Sequence, residues 1–321
     1  MEIDLGDTFG AMLIGALITM AVYGITTLQM YFYYMHYPKD SLGLKFLVAL
    51  IWILDTLHVI LMCHAMHFYL ITGFGNPKAL VNGTWSLYTS IAINILMAFI
   101  SQFYFTVKIY HLSPPKVKIW LTGVIGLSVV AHFCFGIETV VFFFLKKEFA
   151  RLKEVLFESV LPFGILAIAS DIFIALALCI LLHGSRSDFV ETNNLINKLI
   201  VIAINRCVLT SAVAVIEVIV FVILPQSFYT FAFDFIIGKL YANSLLATLN
   251  ARRMLQAQEY SVSITGELTT DFQMASMATY QGTNDSIIRT RSRGGVARRG
   301  LGIRVGDVGK EEMSSSTTQE I

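Results

Sequence analysis

Charge is what this sequence most lacks. Asp, Glu, Lys and Arg make up 14% of the 321 residues, while 56% are hydrophobic and the mean hydropathy is +0.69. A soluble domain carries about 25% charged residues, so water is excluded as the main solvent. Cysteine is scarce too. All four, Cys63, Cys134, Cys179 and Cys207, fall inside apolar stretches, which leaves no loop pair for a disulfide and makes small apolar packing their simplest role. Neither sign of charge prevails, and a net charge of +1 gives no basis for nucleic-acid binding. A basic leader is absent as well: Glu2, Asp4 and Asp7 precede the first apolar stretch, which is too long for a signal-peptide core and is expected to remain in the mature protein. No internal repeat is visible, so the inverted-repeat signature of many carriers is missing.

What is present is a series of seven apolar stretches, at residues 9–34, 45–71, 85–110, 119–145, 157–182, 199–224 and 228–250. An α-helix needs about 20 apolar residues to cross the hydrocarbon of a bilayer. Backbone groups find no water there, so spans of this kind close their hydrogen bonds internally as helices. The expected fold is therefore all-α, an integral membrane bundle of seven transmembrane helices over residues 9–250. Short connections make sequential helices antiparallel neighbours. Residues 1–8 are expected outside and residues 251–321, rich in Ser, Thr, Gly and Arg, to form a disordered cytosolic tail.

Orientation follows from the flanking cations. Nine Lys and Arg residues border the odd-numbered connections and the C-terminal end, against five at the even-numbered ones. Basic flanks are retained in the cytosol, which puts the N-terminus outside and the C-terminus inside, in the plasma membrane or an endomembrane. The group Lys146, Lys147, Arg151 and Lys153 runs against the trend. Asn82-Gly83-Thr84 matches the glycosylation acceptor pattern in an expected outer connection, close to the interfacial Trp85.

Ionisable residues inside a membrane are costly and usually turn inward. Asp55, Glu138, Asp171, Glu217 and Asp234 lie within the stretches, with Arg206 and Lys239. Counting helical rise sets Asp55, Asp171 and Lys239 near the midplane, Arg206 towards the cytosol, and Glu138, Glu217 and Asp234 in the outer half with His64 and His67. Helical phase puts Arg206 and Glu217 on one face of the sixth helix. In the seventh, Lys239, Asn243 and Asn250 form one polar stripe and Asp234, Tyr241 and Thr248 another, so that helix must be surrounded by protein. The expected pairing is Lys239 with Asp171 or Asp55, leaving Glu217 and Asp234 as a carboxylate pair that could share a proton. The alternative to chemistry is an ion-pair lock that fixes helix packing. No metal site is expected: Asp55 with His58 and His64 with His67 point to opposite sides of the second helix, and His132 is the one further intramembrane histidine. A retinal-binding reading of Lys239 fails on spacing, because Asp234 precedes it by five residues rather than four. The receptor signatures Asp-Arg-Tyr and Asn-Pro-x-x-Tyr are also missing. No cofactor is expected.

Several segments carry a family resemblance. They include Tyr23-Gly24-Ile25-Thr26, Tyr37-Pro38-Lys39-Asp40, Trp52-Ile53-Leu54-Asp55-Thr56-Leu57-His58, Phe74-Gly75-Asn76-Pro77, Ser170-Asp171, Asn205 and the run Lys239-Leu240-Tyr241-Ala242-Asn243-Ser244-Leu245-Leu246-Ala247-Thr248-Leu249-Asn250-Ala251-Arg252. Over residues 9–253 the chain resembles a large family of uncharacterised basidiomycete membrane proteins that carry a domain of unknown function at their C-terminal spans. The resemblance implies a fungal seven-span protein and no particular activity. On function, seven spans with an outer N-terminus and a long modifiable tail suit a receptor-like or sensor protein that takes a small-molecule ligand. The excess of intramembrane acids suits a proton-coupled transporter of a solute. An enzyme is not expected, for want of a catalytic set. Arg289, Arg291, Arg293, Arg298, Arg299 and Arg304 make the tail a candidate contact for anionic lipid or cytosolic partners.

Overall fold

The computed structural model describes residues 10–74, 82–147, 156–184, 190–223 and 229–251. The chain divides into a unit Met1–Glu259 and a unit Tyr260–Ile321, and the second lies wholly outside the described residues, as do the segment 1–8 and nearly all of the expected tail. The first unit is all-helical among the described residues. Its helices are α1 (Ala11–His36), α2 (Leu42–His67), α3 (Trp85–Leu112), α4 (Lys118–Lys146), α5 (Leu161–Gly184), α6 (Val190–Ile223) and α7, residues 229–251. A π-helical turn, Phe68–Thr72, extends α2, and another, Leu156–Val160, leads into α5.

Six of these helices, α1 to α6, are long and apolar enough to cross a bilayer. The chain is thus a multi-pass membrane protein. The helix α7 is not among the six, because Asp234, Lys239, Asn243 and Asn250 interrupt its apolar sequence. The largest boundary difference is at α6, which starts at Val190 instead of 199, since the polar residues before the apolar run can continue a helix outside hydrocarbon. Apolar side chains such as Leu17, Trp120, Leu127 and Ile180 face outward, as lipid requires. Cys63 and Cys134 are exposed, so they too face outward instead of packing inside.

Each of α1 to α5 packs on its successor, α3 also contacts α5, and α5 packs on α6. Among these helices α7 is the most enclosed. Phe235, Lys239, Ala242, Leu245 and Leu246 have no exposed surface. It joins both apolar clusters, one around Met62, Tyr88 and Phe235 and the other around Ile51, Ile109 and Leu245. The helix runs alongside and parallel to α1, from Gly15 beside Ala232 to Gln29 and Tyr37, which bond to Asn250.

Short ties close the ends of the bundle. At one end Lys147, with φ of 57°, turns its carbonyl back to accept from Gly83 N at 2.9 Å and Tyr88 Oη at 2.9 Å. Asn82 is exposed beside this tie, while the Thr84 hydroxyl of the acceptor pattern caps α3 by accepting from Leu87 N at 3.3 Å.

The α1–α7 approach depends on glycine. A Cβ on Gly15 would stand 2.8 Å from the Ala232 backbone, whereas one on Gly24 would meet nothing within 4 Å. Gly15→Val is expected to lower stability by about 1–3 kcal/mol through overpacking. Thermal unfolding of the purified protein in detergent checks this, with Gly24→Ala close to wild type.

Candidate functional site

The interior of the bundle holds three polar groupings, each meeting α7 from a different side. The first is an ion pair. The Lys239 ammonium donates to the Asp55 carboxylate and, at 2.9 Å, to the Asp55 carbonyl oxygen, and neither side chain has any exposed surface. The Tyr23 ring of α1 lies 5.5 Å from the ammonium. His58, one turn beyond Asp55, is buried edge-on to Phe235 at 6.0 Å, and neither of its ring nitrogens has a partner among the described residues. Of the two acids open to Lys239, the structure selects Asp55.

The second grouping centres on Asp171. Its Oδ1 accepts from Gln102 Nε2 at 3.0 Å and from the Arg206 guanidinium at 3.2 Å. Its Oδ2 accepts from Thr210 Oγ1 at 2.6 Å and Tyr241 Oη at 2.8 Å. Four donors from α3, α6 and α7 therefore fill the acceptor sites of one carboxylate on α5. Arg206 also stacks on the Phe105 ring, 4.1 Å from its centroid. The expected depths had left Arg206 without a partner. Its long side chain crosses the difference in level that the Cα positions imply.

The third grouping surrounds a cavity. A cavity of about 70 Å³ lies between α3, α4, α5, α6 and α7, walled largely by aliphatic and phenylalanine side chains. Glu217 and Asp234 both line it, and Glu217 is within electrostatic reach of Asp234. The carboxylate pair expected from sequence thus shares one space. Asn94 donates to the Asp234 carbonyl at 2.7 Å and to its carboxylate at 3.1 Å. Gly238 makes room for this amide, since a Cβ there would fall 2.0 Å from Asn94 Oδ1. No hydrogen bond or ion pair from the described residues reaches Glu217.

The cavity and the Asp171 cluster are joined. Tyr241 lines the cavity and bonds to Asp171; His132 lines it and contacts Gln102 Oε1 through Nδ1 at 3.0 Å. The amide of Gln102 donates to Ser170 and Asp171, which makes its oxygen the acceptor and His132 Nδ1 the protonated nitrogen.

The remaining expected residues fall elsewhere. Asn243 accepts from Gln29 Nε2 of α1, continuing the Lys239 stripe towards α1 and α2. Glu138 is a correction: α4 turns it to the exposed face, away from Glu217 and Asp234. His64 and His67 are exposed, and His64 contacts Ser86 at 2.8 Å, so depth alone did not gather these groups. Sequence reasoning missed Asn94, Gln102, Thr210 and the role of His132. The available signal was the spacing of Asn94, Ser101 and Gln102 on α3, where all three are buried.

Arg206→Met should cost about 3–5 kcal/mol in chemical unfolding, because it strips the one cation from a buried carboxylate. The double variant Arg206→Met/Asp171→Asn should recover a measurable part, since no unpaired charge then remains.

Comparison with known proteins places one landmark on this geometry. Residues 167–254 match the model of a family of unknown function (DUF6534). The segment covers most of α5 and all of α6 and α7, hence Asp171, Arg206, Glu217, Asp234 and Lys239, while Asp55, Asn94 and His132 lie outside it. This agrees with the C-terminal domain of unknown function that the resemblance implies. No curated protein and no solved structure matches the chain.

Proposed function

We propose that this chain is a seven-span membrane protein of receptor-like or sensor type, with α7 as the seventh crossing and the cavity as its ligand site. The 23 residues of α7 rise about 34 Å at 1.5 Å per residue, against about 30 Å of hydrocarbon. Its parallel course beside α1 supports the same reading. By the distribution of basic flanks, the N-terminus faces outward and the C-terminal tail faces the cytosol, where it can meet partners or anionic lipid.

One observation carries the sensor reading. Tyr241 and, through Gln102, His132 link the cavity wall to Asp171, the residue that ties α5 to α6 by way of Arg206. A guest that displaces either ring acts on that tie. Its differential contact with the two arrangements is what a ligand needs in order to shift an equilibrium. A second reading, a proton-coupled carrier, is favoured by Glu217 and Asp234. Two carboxylates within reach of each other in an apolar space can hold one proton between them.

A stability screen of small solutes on the full chain in nanodiscs tests the first reading. A stabilising solute should lose its effect in the cavity-filling variant Ala167→Leu. With spin labels at Glu158 and Ile223, the solute should change the α5–α6 distance in the wild type and not in Tyr241→Phe. A solute that leaves this distance unchanged yet crosses proteoliposomes under a pH gradient, and stops doing so in Glu217→Gln, would establish the carrier instead.

A further inference from the structure

The polar complement of the cavity is unequal in a way that specifies its guest. Apart from the Thr230 hydroxyl, its donors are already committed. The Asn94 amide hydrogens go to Asp234, the Tyr241 hydroxyl to Asp171, and the Thr139 hydroxyl to the Phe135 carbonyl at 2.8 Å. Its acceptors are open. Glu217 receives no hydrogen bond from the described residues, and Asp234 receives only the Asn94 amide. With Nδ1 of His132 protonated towards Gln102, the Nε2 of the neutral ring is a lone-pair acceptor. Thr230, which is 9% exposed, lines the same space, and its Oγ1 is buried without a partner.

Charge runs the same way. Of the two cations buried among the described residues, Arg206 is taken by Asp171 and Lys239 by Asp55. The charge of Glu217 and Asp234 is therefore left without a protein counter-ion among the described residues. Such charge in an apolar site is costly unless a cation or a proton neutralises it. An inorganic ion would leave most of the wall unused, since Phe143, Phe163, Phe221 and Phe231 face the space. Phenylalanine rings attract cations over their faces, and they also cover an apolar body.

We infer that the cavity is built for a protonated organic amine, its ammonium between Glu217 and Asp234 and its hydrocarbon part among the phenylalanines. This rests on the cavity being a ligand site and adds the chemical class of the ligand. His132 and Thr230 provide further acceptors for the remaining N–H groups. Because the wall offers few open donors, neutral and anionic guests of the same shape are disfavoured.

The test uses the full chain in nanodiscs and three probes of one size: phenethylammonium, phenethyl alcohol and phenylacetate. Binding is followed by isothermal titration calorimetry. Phenethylammonium should bind at least tenfold more tightly than the alcohol, and phenylacetate should not bind. Glu217→Gln and, independently, Asp234→Asn should each reduce the preference for the ammonium several-fold, with Cys63→Ser as an unaffected control. If one carboxylate variant fails to fold, the other still decides. Equal binding of the ammonium and the alcohol, or a preference that survives both substitutions, would overturn the amine assignment and leave the ligand site standing. Failure of all three probes to bind the folded wild-type chain would overturn the ligand site as well.

Discussion

The buried Asp55–Lys239 pair is the contact on which the remaining architecture depends. The helix α7 carries an acid, a lysine and two asparagines, and is the least suited of the seven to stand in lipid alone. An ammonium in hydrocarbon is tolerated only when another charge or a set of dipoles meets it. Asp55 supplies both, through its carboxylate and its main-chain oxygen. Once α7 is held against α2, its other polar groups must also be met. They are met by Gln29 from α1, Asn94 from α3 and Asp171 from α5. The arrangement of helices around α7 is thus set by polar pairing more than by apolar shape. Between lipid and a lipid-like core, hydrophobic burial does little to discriminate one packing from another.

The pairs also explain why the cavity remains acidic. Had Arg206 or Lys239 turned towards Glu217 or Asp234, the space would be neutral. Each cation instead has a dedicated partner, and Asp171 is further saturated by three uncharged donors. Tyr241 serves both regions, since it lines the cavity and its single hydroxyl donates to Asp171.

Much of this could be read from the chain. Apolar length located all seven helices to within a few residues at most ends, since the cost of unsatisfied backbone leaves little freedom there. The two polar stripes of α7 imply that it is enclosed, as it is, but they do not name Gln29, Asn94 or Asp171 as the groups that meet Asn243, Asp234 and Tyr241. The pairings were harder. Depth arithmetic treats a residue as its Cα, and so missed the reach of Arg206 to Asp171. The importance of α3 was hidden for another reason. Asn94, Ser101 and Gln102 are neutral, and amides and hydroxyls barely lower the hydropathy of a long stretch, although inside the bundle they decide which carboxylate is satisfied. Glu138 shows the converse: a charge within an apolar stretch marks a cost without saying which way the helix faces.

Charge exchange measures the central contact most directly. Asp55→Lys and Lys239→Asp, made singly, should each place two like charges together, and most of the full-length protein should be lost from the monodisperse fraction in mild detergent. The exchanged double variant should recover most of that fraction and most of the thermal midpoint. Singles that match the wild type, or a double variant no better than the worse single, would contradict the account.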